Sequence, residues 1–347
     1  MTLATQLDDP SHTEALPRQR IEISPSERDA GSLSAANRAL AAVILRCRGY
    51  VILKDAIGLE LVESLGRAFA PIYQDCRQTP GAVETGTDAD SPVRWQASSQ
   101  MGATFWFRRS RWRIFPRLTP PFSDPELLAN PFVVPILEDL LGSDFRLQYV
   151  STDTCVRGSI LQAPHSDIER AGIIADDRWR ARGFVVNVPL VECGLHNGPL
   201  EVWPGGSHLW TADLFGRDEL TLDIQDARNP PIERIAEYFP SLTLTLQPGE
   251  VLVRDLAMWH RGTPNSTDHP RTMFTLGYFR RDYTYGYADI AYNVDERLFG
   301  ALHPRVQRMY APYFSLANRL RRRQRRLRSA AKRTALAWLG ARAPHRR

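Results

Sequence analysis

The stretch Gln162-Ala-Pro-His165-Ser-Asp167 constrains this chain more than any other. A histidine and an aspartate two apart share a face on a β-strand, because successive strand side chains alternate. One imidazole and one carboxylate side by side make two-thirds of a facial metal site, and a second histidine is the usual third ligand for non-haem iron. The run Gly249-Glu-Val-Leu-Val-Arg-Asp-Leu-Ala-Met-Trp-His260 supplies the candidate in His260. Eleven residues on comes Arg271, in His269-Pro-Arg271-Thr-Met-Phe-Thr-Leu-Gly-Tyr. An apolar run with one arginine is suited to anchoring a dicarboxylate, since a guanidinium grips a carboxylate in a bidentate fork. Any of these residues taken alone is more often an ordinary core or surface side chain. Their joint occurrence carries the metal reading.

The context is that of short strands. Residues 145–150, 184–190, 242–246, 251–256 and 272–278 read as strands, with turns at Asn197-Gly-Pro and Pro204-Gly-Gly. Many short strands with Gly/Pro turns predict a sandwich or barrel. Helices precede them. Ser34 can cap a helix over 35–48, a strand follows at 49–53, and 58–73 has a helical apolar period. Residues 130–141 read as a helix closed by Gly142. Residues 78–99 read as loop, and 211–240 as a charged insertion. The loop after Asp167 is a natural place for substrate contacts. In 100–122, Trp106, Phe107, Trp112 and Phe115 alternate with Arg108, Arg109, Arg111 and Arg113. Two arrangements compete there: a pocket wall, or a half-buried aromatic stretch with arginine stems over it, the commoner one for any single residue.

Charge is unevenly placed. The chain of 347 residues carries net +5, but residues 319–347 hold twelve Lys or Arg and no Asp or Glu, leaving 1–318 at net −7. The basic character therefore gives no argument for nucleic-acid binding by the body. Residues 1–32, with Pro10, Pro17 and Pro25, are expected to be a flexible arm; 33–313 form the folded body, and 314–347 a basic amphipathic helix. Such a helix can contact an anionic surface or an acidic carrier protein, or pack its Leu stripe on the body. Cys47, Cys76, Cys155 and Cys193 lack metal-type spacing and read as free thiols. No apolar run is long enough for a transmembrane helix and no secretory signal is visible, so a cytoplasmic location is expected.

Taken in order, Gly49-Tyr-Val-Ile-Leu-Lys-Asp, Gln162, His165-Ser-Asp167, Asn197-Gly-Pro-Leu-Glu-Val-Trp-Pro-Gly-Gly-Ser-His208 and Gly249…His260…Arg271 resemble the phytanoyl-CoA dioxygenase family of iron(II)/2-oxoglutarate oxygenases, over residues 35–285. The resemblance implies a mainly β fold with flanking helices, a double-stranded β-helix of the jelly-roll or cupin-like kind. It implies Fe(2+) held by His165, Asp167 and His260, with 2-oxoglutarate as cosubstrate and O2 as oxidant, and ascorbate as an in-vitro reductant. Arg271 then meets the distal carboxylate of 2-oxoglutarate, with a hydroxyl from Thr263 or Thr272 beside it and Gln162 nearby. His208 lies in a structural turn motif. Related halogenating enzymes lack the carboxylate that Asp167 supplies here, so hydroxylation or desaturation of a small molecule, such as a secondary metabolite or acyl derivative, is expected. The alternatives are a non-oxygenase metal enzyme and a metal-free binding protein on the same jelly roll.

Overall fold

A computed structural model describes residues 19–82, 94–168, 181–209, 236–283 and 292–316, with 232, 318 and 320. Its strands are β1 (Arg20–Glu22), β2 (Tyr50–Lys54), β3 (Gln96–Ala97), β4 (Thr104–Arg108), β5 (Arg111–Phe115), β6 (Arg146–Cys155), β7 (Gly183–Pro189), β8 (Leu200–Val202), β9 (Leu242–Leu244), β10 (Val251–Asp255), β11 (His260–Gly262) and β12 (Arg271–Phe279). Its helices are α1 (Pro25–Ala30), α2 (Ala35–Arg48), α3 (Leu59–Gln78), α4 (Pro125–Leu128), α5 (Val134–Leu141), α6 (Glu296–Ala301) and α7 (Pro304–Phe314). The major sheet runs β1-β2-β10-β7-β12-β6-β5-β4-β3, and the minor sheet β11-β8-β9. Two unequal sheets, mainly antiparallel and facing each other, make the jelly-roll barrel that the family resemblance implies.

The central strands are buried on both faces. All nine residues of β12 and all seven of β7 are buried. That is why they read as continuous apolar runs instead of a clean alternation. One face, with Phe274, Leu276 and Val186, joins the core cluster that includes Leu45 of α2, Leu65 and Phe69 of α3 and Leu137 of α5. Burying each such side chain contributes about 1.5–3 kcal/mol. The opposite face packs Ile52, Leu252 and Met273 against Val202 and Leu244 of the minor sheet. The same opposite face lines the cavity described below.

Local chemistry explains the helix ends. Ser34 accepts from the Asn37 amide at the start of α2, and Gly49 closes that helix in the left-handed region at φ 80°. A side chain at Gly49 would meet His208 at 2.8 Å, so the turn and the buried His208 ring are fitted to each other. His208 Nε2 bonds the Arg46 carbonyl at 2.9 Å, in keeping with a structural role.

Two boundaries need correction. The flexible arm expected over 1–32 is ordered from residue 19 onward: β1 pairs in parallel with β2, and α1 follows it. Arg20 ties this segment to the body through the Thr245 carbonyl at 2.6 Å and Glu250 at 3.2 Å. Residues 1–18 lie outside the described residues. The tail helix does not begin at Phe314. That residue is buried, ends α7 and stacks on Phe299 at 4.4 Å. Ser315 is non-helical and its hydroxyl accepts from the Asn318 amide at 3.4 Å, so the change of element falls there. The Arg-rich stretch from 321, the loop 169–180 and most of the insertion 211–240 lie outside the described residues.

Candidate active site

The site lies where the strand ends of the two sheets meet. His165 follows Pro164, which has no N–H to give a ladder, so His165 forms an isolated bridge with His260 instead of lying within a strand. The His165 amide donates to the His260 carbonyl at 2.9 Å, and the reverse bond is 2.8 Å. The Asp167 amide donates to the Leu256 carbonyl at 2.9 Å. The backbone thus pins both residues of the His-X-Asp pair to the β10–β11 connection. One ligand atom from each of His165, Asp167 and His260 lies within 4.8 Å of the others, close enough for one metal ion.

Each imidazole is oriented by its own backbone. His165 Nδ1 lies 2.8 Å from the Ala163 carbonyl, and His260 Nδ1 lies 3.0 Å from the Met258 carbonyl. With Nδ1–H donating to Ala163, His165 Nε2 carries the lone pair that a metal needs, whereas His260 Nδ1 stands between the Met258 carbonyl and the Arg254 guanidinium at 3.0 Å each. His260 Nε2 is 3.4 Å from Asp167 Oδ1. Burial first, then the charge of His260, push His165 down to about 4, so it is neutral at neutral pH, as a metal ligand must be. Burial alone would raise the Asp167 carboxyl. His260 and Arg254 outweigh it and hold Asp167 well below the usual carboxylate range.

Arg254 was not singled out from the sequence. It is 4% exposed, and its Nη2 donates to Asp167 Oδ2 at 2.7 Å. Its Nη1 donates to the Asp255 carbonyl at 3.3 Å and lies 3.0 Å from His260 Nδ1. The signal that marked Arg271, one arginine in an apolar strand, applies equally to Val251-Leu-Val-Arg254.

A cavity of about 330 Å³ opens beside the three ligand candidates and is lined by Gln162, Arg254 and Arg271 among others. Arg271 is buried; its Nε and Nη2 donate to the Gly198 carbonyl at 3.1 and 2.6 Å, and Nη1 to the Asp153 carbonyl at 3.3 Å. Gln162 Oε1 accepts from the Gly262 amide at 2.8 Å. Thr263 departs from expectation. Its hydroxyl donates to the Pro199 carbonyl at 2.8 Å, and it is not a lining residue. Thr272 pairs with Thr154 at 2.9 Å instead. The β12 hydroxyl that lines the cavity is that of Thr275, which accepts from Asn187 at 3.2 Å. The reason is alternation: from Arg271, the side chains sharing its face of β12 are Met273, Thr275 and Gly277. Gly277 must lack a side chain, because a Cβ would sit 2.3 Å from the Tyr149 ring on β6.

A jelly roll that brings two histidines, an aspartate and a buried arginine to one cavity defines the non-haem iron(II)/2-oxoglutarate oxygenases. The chain belongs to the phytanoyl-CoA dioxygenase (PhyH) family, whose model matches residues 45–273. This family uses Fe(2+), 2-oxoglutarate and O2. Solved structures with a similar chain path include the non-haem alpha-ketoglutarate-dependent carbocyclase SnoK from nogalamycin biosynthesis, at 18% identity over 79% of this chain and 93% of that one, TM-score 0.48. EctD from S. alaskensis with bound Fe is similar at 22% identity over 76% and 82%, TM-score 0.47. AviO1 from Streptomyces viridochromogenes Tue57 is similar at 15% identity over 73% and 99%, TM-score 0.49. Family membership rests on the family match, not on these distant likenesses.

Proposed function

We propose that this chain hydroxylates a small organic molecule, with 2-oxoglutarate converted to succinate and CO2. The observation that carries this reading is the approach of one ligand atom each from His165, Asp167 and His260 to within 4.8 Å of one another, beside the cavity that Arg271 also lines. The donor set, two imidazole nitrogens and one carboxylate oxygen, fits iron(II) and leaves open positions on it. Iron(II) bound there supplies the one-electron chemistry that lets dioxygen react with carbon.

The protein's own residues do the rest. The Ala163 carbonyl engages His165 Nδ1, and the Met258 carbonyl and Arg254 engage His260 Nδ1, which leaves the Nε2 atom of each ring for the metal. Arg254 occupies Asp167 Oδ2 and leaves Oδ1 as the ligating oxygen. Arg271 uses three of its five N–H groups on backbone carbonyls, which leaves the guanidinium edge to receive the distal carboxylate of 2-oxoglutarate. Gln162 closes the side of that subsite next to Gly262. The intact carboxylate at Asp167 supports oxygen insertion or desaturation over halogenation.

A screen of small-molecule pools tests the reading. It should find a compound that gains one oxygen, or loses two hydrogens, only with iron(II) and 2-oxoglutarate together. A product formed without 2-oxoglutarate would favour a non-oxygenase metal enzyme instead. No helix among the described residues is long and apolar enough to cross a membrane. Four free thiols, three of them buried, support a reducing, cytoplasmic setting. The basic stretch 321–347 is proposed to dock on an anionic surface. Truncation after Leu320 should then remove salt-dependent adsorption to anionic vesicles and leave iron binding intact; unchanged adsorption would sink the docking idea.

A further inference from the structure

Arg111 of β5 is a buried cation that the reading above leaves unused. It is 5% exposed and lines the cavity. Its Nη2 donates to the Thr263 carbonyl at 2.6 Å, while its Nε and Nη1 are buried without a hydrogen-bond partner. No carboxylate among the described residues pairs with it. Arg254 also leaves Nε unmet, but its charge is paired with Asp167 at 2.7 Å. Arg271 places Nε, Nη1 and Nη2 on backbone carbonyls. A guanidinium does not escape burial by losing its proton. The unmet donors of Arg111 therefore carry a desolvation cost until an acceptor joins them.

Strand register fixes where Arg111 stands. It pairs with Cys155 of β6, and Cys155 pairs in turn with Arg271 of β12. Directly paired residues project from the same face of a sheet. The two arginines thus leave one row of the major sheet, on either side of Cys155. Both reach the minor sheet: Arg271 bonds the Gly198 carbonyl just before β8, and Arg111 the Thr263 carbonyl just after β11. Gly262 makes this approach possible. A Cβ there would meet Arg111 Nη1 at 2.8 Å and Gln162 Oε1 at 2.6 Å. Gly262 lies two residues beyond His260 on β11, so both share a face. The guanidinium therefore rests one same-face step, about 7 Å of strand, from a candidate metal ligand.

We propose that Arg111 forms a second carboxylate-binding subsite in the cavity, using the Nε and Nη1 donors that the protein leaves unmet. The carboxylate has two possible sources. It is the distal end of 2-oxoglutarate, shared with Arg271, or an acidic group of the organic substrate, with 2-oxoglutarate held by Arg271 alone. The choice of sources rests on the oxygenase reading. The subsite itself rests on the burial and unmet donors of Arg111, since a planar guanidinium matches a carboxylate in geometry and charge.

The test is calorimetry on the full chain loaded with manganese(II), without oxygen. One arm titrates 2-oxoglutarate and 2-oxobutanoate, which lacks the distal carboxylate. The other titrates benzoate into protein saturated with 2-oxoglutarate. Arg111→Gln should weaken binding about tenfold or more in one arm, the size expected for losing a hydrogen bond to a charged group. A loss for 2-oxoglutarate but not for 2-oxobutanoate assigns the carboxylate to the cosubstrate. A loss for benzoate, with 2-oxoglutarate affinity kept, assigns it to the substrate. Arg111→Lys keeps the charge without the fork and should show a smaller loss in the same arm; it carries the test if the Gln variant does not fold. Unchanged affinities in both arms, or equal losses for 2-oxoglutarate and 2-oxobutanoate with benzoate binding unaffected, would overturn the proposal. Parent protein that binds no 2-oxoglutarate would count against the oxygenase reading instead, and the benzoate arm, run without cosubstrate, would then decide on Arg111.

Discussion

His165 and His260 are hydrogen-bonded to each other's backbone in both directions, at 2.9 and 2.8 Å. Their ring centroids lie 4.4 Å apart, with the planes tilted by 49°. Two ligand candidates almost a hundred residues apart are thereby fixed as one unit. A shift of either segment moves both rings, which keeps the pair preorganised.

This pairing predicts the outcome of ligand removal. His165→Ala, Asp167→Ala and His260→Ala should each weaken iron(II) affinity by more than the roughly 10–100-fold typical of outer-shell losses. Turnover should be abolished in all three. Metal content after gel filtration and calorimetric titration check this. Parent-like iron binding with full activity in any variant would remove that residue from the site.

Arg254→Leu should weaken metal binding about 10–100-fold, because Asp167 Oδ2 loses its partner. Arg254→Lys should recover part of the loss by restoring a donor to Oδ2. The absorption of bound cobalt(II) offers a readout independent of turnover. Identical spectra and affinities in parent and Leu variant would contradict the role assigned to Arg254.

Arg271→Ala should act on the cosubstrate. Removing one partner of a buried charge pair costs about 2–5 kcal/mol, which appears as a large rise in the 2-oxoglutarate concentration required. Iron affinity without 2-oxoglutarate should change little. An unchanged 2-oxoglutarate affinity would show that the anchor lies elsewhere.

Away from the site, Glu27 predicts an acid-stability effect. It accepts from the Ser24 and Ser34 amides at 3.0 and 2.7 Å and from Asn37, joining α1 to α2. Burial opposes its ionisation, but these bonds lower its carboxyl from 4.5 to about 2. The depressed value means that its stabilisation is full above pH 4.5 and fades as pH falls toward 2. Glu27→Gln should lower stability at neutral pH by about 2 kcal/mol. The difference from the parent should shrink in acid. A difference independent of pH would refute the ionic role.

Much of this architecture was legible in the sequence, for reasons particular residues make plain. Ser34 and Gly49 bracket α2 because capping is local chemistry. β10 and β12 fell within a residue or two of expectation because strands buried on both faces are uninterrupted apolar runs. The His165, Asp167 and His260 grouping was readable from the ordered motifs around it, although His165 forms only an isolated bridge and Asp167 lies in a bend instead of on a strand. Arg254 was missed because its meaning comes from the end of β10 lying beside Asp167, a contact between residues 87 positions apart. Thr263 was misplaced because the turn that carries it directs its hydroxyl to Pro199, which no spacing rule reports. The order in residues 19–32 was hidden because β1 is three residues long and exists through its pairing with β2.

The most direct test is succinate release. Full-length protein with iron(II), ascorbate, oxygen and 2-oxoglutarate should form succinate, at a slow basal rate alone and faster with its substrate. The Asp167→Ala protein under the same conditions should form none above the level of free iron. Equal succinate from parent and variant, or none from parent protein shown to hold iron and 2-oxoglutarate in the presence of its substrate, would contradict the assignment of this chain as an iron(II)/2-oxoglutarate oxygenase.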